Sequence, residues 1–117
     1  MDQYTERRPW GSFTVLVDAD SFKAKRLDVT AGKRMSLQSH QYRSEHWIIV
    51  TGLAKITIAD NVLNYRQGEY VFVPKNTKHR IENIGDTLLT IIEVQLGKYF
   101  GEDDIIRYED DFDRHRQ

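Results

Sequence analysis

Between residues 12 and 96 the chain is a succession of short segments in which apolar and polar residues alternate, each closed by turn-forming residues. The segments are 12–17 (SFTVLV), 22–30 (FKAKRLDVT), a short one at 38–40, 45–51 (EHWIIVT), 53–59 (LAKITIA), 62–66, 70–73, 79–84 and 87–96 (TLLTIIEVQL). A period of two is the mark of a strand with one buried face. Parallel strands need crossover helices, and the breaks between these segments are too short to hold them. Asp60-Asn61 reads as a hairpin pair and Pro74 as a strand end. About nine evenly spaced strands with antiparallel pairing predict an all-β sandwich or barrel.

The remainder of the sequence adds little besides limits. Its 117 residues predict a single domain spanning 1–117, large enough to bury a core without staples. With 17 Lys+Arg against 18 Asp+Glu the formal net charge is −1, so no overall positive field exists to hold nucleic acid or an anionic membrane. The absence of cysteine excludes disulfides, thiolate metal sites and a cysteine nucleophile. The first ten residues, MDQYTERRPW, contain no apolar secretory region, and the cytoplasm is the expected location. Residues 101–113 (GEDDIIRYEDDFD) are expected to form one short helix. Its first turn is acidic, as the helix dipole favours, and Ile105, Tyr108 and Phe112 share a face.

Two segments concentrate side chains able to bind a metal: 32–52, with Gln38, His40 and Glu45, and 68–83, with His79. Gln38 and His40 share a strand face by alternation, while Glu45 and His79 each open a later strand. In a barrel these four would converge on one interior point. Two imidazoles, a carboxylate and an amide oxygen suit a divalent ion, Zn2+ first, with Co, Mn, Ni or Fe as alternatives. Taken singly, the same residues read more readily as ordinary surface or core side chains than as ligands.

The spacing distinguishes them. The segment from Gly32 through Gln38-Ser39-His40 and Glu45 to Gly52 resembles the first cupin motif, and the one from Gly68 through Pro74-Lys75-Asn76 and His79 to Asn83 resembles the second. Gln38 stands where the first motif usually has histidine. Asn76 replaces a glycine, and asparagine tolerates the left-handed backbone that such a turn needs. Arg8-Pro9-Trp10-Gly11, Arg43-Ser44-Glu45-His46-Trp47, Glu93-Val94-Gln95 and Gly101 to Arg107 narrow the resemblance to the type II phosphomannose isomerase cupin, a module often found at the C-terminus of bifunctional isomerase/guanylyltransferases. That branch uses the Gln-x-His start. The resemblance covers most of the chain, from Arg8 to Arg114, and implies a jelly-roll barrel, the double-stranded β-helix.

It also implies an activity: metal-dependent interconversion of mannose 6-phosphate and fructose 6-phosphate through a cis-enediol, supplying GDP-mannose precursors. No nucleotide-binding loop is present, so the expectation is an isomerase domain standing alone. Gln38, His40, Glu45 and His79 would hold the metal, which stabilises charge on the substrate oxygens. Glu93 and Lys25 are the candidate catalytic acid–base residues, with Glu93 alternatively the outer partner of a metal histidine and Lys25 alternatively a surface residue. Arg43 and Arg34 are the candidate phosphate ligands, with Arg43 expected at the barrel mouth. Arg80 is expected outside, in a surface salt bridge. Trp10 and Trp47 are expected in the core or an interface.

Two other readings stand beside this one. The first is a cupin acting on another sugar or small molecule, and the second a sugar-binding cupin without turnover. Ile48 and Val50 should face away from Glu45, Trp47 and Ile49, so both faces of this strand need cover. A homodimer is the expected partnership, with no nucleic acid and no membrane.

Overall fold

The computed structural model describes residues 3–112, and among them eleven strands form two antiparallel sheets. The first sheet runs in the order β1 (Tyr4–Arg8), β2 (Gly11–Asp18), β3 (Phe22–Val29), β10 (Leu89–Gly97), β5 (Arg43–Thr51), β8 (Tyr70–Val73). The second runs β11 (Ile106–Glu109), β4 (Leu37–Ser39), β9 (His79–Asn83), β6 (Ala54–Ile58), β7 (Asn61–Tyr65). The interior strands lie where alternation puts them.

The register between strands decides what the interior contains. Along β3, β10 and β5, Leu27, Ile91 and Ile49 form one inward rung, beside the Val29–Leu89 pair. The next rung is Lys25, Glu93 and Trp47, and the one after it is Lys23, Gln95 and Glu45. One end of the interior is therefore apolar, and Ala54, Ile56 and Ile81 of the second sheet close over it. The other end carries buried charge. Burial of the apolar rungs supplies the main driving force for closing the two sheets. Trp10 and Trp47 both belong to this core, as expected.

Three features differ from the sequence reading. The hairpin between β6 and β7 turns on Ala59-Asp60, since Ile58 pairs with Asn61. Ala59 takes the left-handed conformation there at φ +53°. Second, the first and last elements among the described residues are strands that alternation did not reveal. β1 and β11 are edge strands exposed along most of their length, so they carry no periodic apolar face.

Third, the helix expected over 101–113 is not formed in its described part, 101–112; Asp113 lies outside the described residues. Residues 106–109 instead pair with the open edge of β4, Ile106 opposite Ser39 and Arg107 opposite Gln38. An isolated helix this short is marginal in water, whereas an unpaired strand edge offers a ready row of hydrogen-bonding groups. Tyr108 adds a hydroxyl hydrogen bond to Ser39 Oγ at 2.8 Å.

Asn76 does adopt the left-handed conformation, with φ +56°. Its N–H donates to the carbonyl of His40 at 2.8 Å, so this turn ties the second motif to the first. The outer face of β5 and β8 is apolar and open: Ile48 is 42% exposed, Phe72 48% and Tyr70 53%. Among the described residues no helix is long and apolar enough to cross a membrane.

Candidate metal centre and cavity

Cross-strand pairing builds the centre. Gln38 on β4 lies opposite His79 on β9, His40 follows β4, and Glu45 projects inward from β5. All four are buried and line one cavity. The donor atoms of His40, Glu45 and His79 all lie within 4.8 Å of one another. His40 Nε2 is 3.3 Å from Glu45 Oε2, and His79 Nε2 is 3.9 Å from Glu45 Oε1.

Each donor is aimed by a bond on its far side. His40 Nδ1 donates to the carbonyl of Asp104 at 2.6 Å and His79 Nδ1 to that of Thr77 at 2.9 Å. Both rings therefore turn the Nε2 lone pair inward. The amide nitrogen of Gln38 donates to Ser36 Oγ at 2.9 Å, which leaves the amide oxygen as its acceptor. Burial, then His40, pushes the His79 imidazole down to about 3, so it is neutral. Burial opposes ionisation of Glu45, yet Arg43 and His40 outweigh it and hold the carboxyl down to about 2. Two imidazoles with inward Nε2 atoms and one carboxylate fit a divalent ion of intermediate hardness.

Glu93 stands beside this set. The Trp47 indole lies between the two carboxylates, with Nε1 3.1 Å from Glu45 Oε1 and 3.2 Å from Glu93 Oε1. Gln95 Nε2 donates to Glu93 Oε2 at 2.9 Å. Burial first, then the Glu45 charge, pushes Glu93 up to about 7. Both histidine Nδ1 atoms are held by backbone carbonyls, so Glu93 is not their outer partner.

The remaining candidates separate. Lys25 is buried in the cavity wall, not on the surface, and its ammonium pairs with Glu102. Arg43 also lines the cavity but turns inward. Its Nε donates to Glu45 Oε2 at 2.8 Å, and Nη1 reaches the Gly101 carbonyl at 3.4 Å. Arg34 is absent from the cavity wall, because Asp111 takes its Nε and Nη2 donors at 2.8 and 2.9 Å. Arg80 makes the expected salt bridge, to Glu109 at 3.0 Å, but is itself buried under β11.

The sequence reading missed Ser36, Gln95, Glu102 and Asp104 as parts of the site. Alternation with Gln38 and Glu93 marks the first two. Nothing local marks the others. Glu102 and Asp104 belong to an acidic run whose contacts lie on distant strands, and the Asp104 carboxylate also accepts the N–H groups of Gln41 and Tyr42, each at 3.0 Å.

Two antiparallel sheets closed over a buried His/Glu/His cluster define a cupin, the double-stranded β-helix expected from the motifs. The fold is similar to the cupin domain of Schizosaccharomyces pombe Cnp3, with a TM-score of 0.71 and 18% identity, covering 74% of this chain and 64% of that one. The chain belongs to the family described as mannose-6-phosphate isomerase C-terminal, whose profile matches residues 2–110. Among curated relatives it is 44% identical over 104 residues to a mannose-1-phosphate guanylyltransferase of Sinorhizobium fredii, covering 89% of this chain and 20% of that protein. It is 44% identical over 107 residues to the alginate biosynthesis protein AlgA of Pseudomonas syringae, covering 92% and 22%.

The chain thus spans about a fifth of the length of these relatives. That corrects the expectation of an isomerase domain standing alone. The relatives that carry this domain are far longer proteins, and the first is named for guanylyl transfer.

Proposed function

We propose that the cavity is a metal-assisted isomerisation site for a phosphorylated hexose of the mannose series, serving as the isomerase part of a larger mannose-phosphate system. The observation that carries this reading is the Glu93 carboxyl, buried beside the three-donor cluster and held by Trp47 and Gln95.

Aldose–ketose exchange moves one proton between neighbouring carbons and a second between their oxygens. A divalent ion on Gln38, His40, Glu45 and His79 would supply charge stabilisation for the substrate oxygens. Glu93, with a carboxyl near neutrality, takes the carbon-bound proton and returns it one carbon away. Trp47 and Gln95 fix the two oxygens of that carboxyl so that it faces the cavity. Arg43 keeps Glu45 ionised and therefore a ligand and not a competing acid.

The test is metal-stripped protein with Zn2+, Co2+, Mn2+ or Mg2+ added back, followed on mannose 6-phosphate by NMR in deuterated water. Ketose 6-phosphate formed only with metal, with deuterium entering at the exchanged carbon, is the expected result. Metal binding without product would leave a sugar-binding cupin.

The homodimer belongs to the same proposal. Ile48, Tyr70 and Phe72 form a contiguous outer patch, with Ile48 opposite Tyr70 in register, and a second copy would cover it. Sedimentation should give a dimer that Phe72→Glu converts to monomer; a monomeric wild-type protein would refute this part.

A further inference from the structure

The cavity holds more positive charge than its metal donors account for. Arg8, Lys25, Arg43, Arg80 and Arg107 line it, against the carboxylates of Glu45, Glu93 and Glu102. Arg43 is engaged by Glu45, and Arg80 by Glu109 and the carbonyl of Met35. The two carboxylate partners, Glu45 and Glu109, sit on strands and are part of the fold.

Lys25 is held differently. It lies on the same rung as Glu93, one strand away, with its ammonium 4.3 Å from the centre of the Phe13 ring. Its ion-pair partner, Glu102, comes from the loop after β10. The Lys25 side chain is 4% exposed, whereas that of Glu102 is 46% exposed. A buried ammonium requires a compensating anion. A half-exposed carboxylate on a loop does not need that ammonium in return, because water solvates it nearly as well. The preceding residue of the same loop, Gly101, also takes Arg43 Nη1 through its carbonyl. Residues 101 and 102 therefore occupy donors of two cavity cations at once.

We propose that Lys25 is the phosphate-recognition cation of the substrate site, and that Glu102 is a displaceable stand-in which the phosphate of an entering sugar replaces. This rests on the phosphosugar reading above. A phosphate group brings up to two negative charges and three acceptor oxygens where the carboxylate brings one charge. It therefore outcompetes Glu102 for a buried ammonium while the carboxylate returns to water. Glu93, on the same rung as Lys25, stays held by Trp47 and Gln95 throughout the exchange.

The test is calorimetric titration of metal-free protein with inorganic phosphate at fixed ionic strength, using wild type, Glu102→Gln and Lys25→Met. Glu102→Gln should bind phosphate about tenfold more tightly than wild type, the value of one charge-assisted hydrogen bond no longer in competition. Lys25→Met should bind at least tenfold more weakly. Glu102→Gln binding no better than wild type would overturn the proposal, as would Lys25→Met binding as wild type does. If Lys25→Met does not fold, the half-exposed Glu102 position still decides the matter. The readout involves no turnover, so failure of the isomerase assay and failure of phosphate recognition are separate results.

Discussion

Glu93→Gln should lower isomerase turnover by about 100- to 10,000-fold, the usual contribution of a positioned acid–base group, with metal affinity little changed. Glutamine keeps the shape of the side chain and its acceptor for the Trp47 indole, but cannot take a proton from carbon. The fold should tolerate it. Gln95 is fully buried, and its Oε1 has no hydrogen-bond partner among the described residues. By turning its amide, Gln95 can present that oxygen to the new amide of residue 93. Parallel measurement of kcat and of bound metal checks the prediction, and a variant within threefold of wild-type turnover would remove Glu93 from the mechanism.

The same variant should reveal a stability effect in metal-free protein. Glu93 titrates near 7 when folded, because of burial and then Glu45, against 4.5 in its ordinary state. The folded protein therefore binds a proton that the unfolded chain has released between pH 4.5 and 7. Stability from this group falls as pH rises through that window. Glutamine does not titrate, so the melting temperature of Glu93→Gln relative to wild type should increase from pH 4.5 to 7 and then level off. A difference that stays flat would show that Glu93 ionises in the folded protein as easily as in water.

Arg43→Met should destabilise the metal-free protein by about 3–5 kcal/mol near neutral pH, the scale for removing one partner of a buried ion pair. Arg43 and Glu45 are both buried, and the 2.8 Å contact gives Glu45 its strongest opposing charge. Without it the carboxylate keeps its burial cost and loses its main compensation. A bound divalent ion would then provide the missing positive charge. Metal should accordingly stabilise Arg43→Met more than wild type, beyond the mass-action effect common to both. Urea unfolding with and without metal measures the two differences. A loss below about 1 kcal/mol in the metal-free variant would mean that Glu45 finds other compensation.

The candidate metal donors were legible because their spacing and alternation are local properties. Gln38 and His40 share a face through the pleat of one strand, and Asn76 announced its left-handed turn by residue type. Glu93 followed from the same parity along β10, a parity that also marks Gln95 although it was not among the candidates. The two phosphate candidates had equal standing in the sequence and unequal fates. Arg34 meets Asp111 from the far end of the chain, and Arg43 meets Glu45 two residues away.

What the sequence by itself determined is the all-β plan, the identity of the inward faces, and the placing of Gln38, His40, Glu45 and His79 on one cavity, all consequences of a two-residue backbone repeat. The tertiary structure alone decided which segment completes each sheet and which charge answers which. Residues 106–109 became a strand because β4 had an open edge, not because of their own preference. Lys25 finds its counter-charge only because Glu102, 77 residues away, returns over it, and His40 is aimed by a carbonyl 64 residues distant. Alternation fixes a side chain's face through bonds to its neighbours, whereas its partner across the cavity is fixed only when distant backbone hydrogen bonds close the sheets.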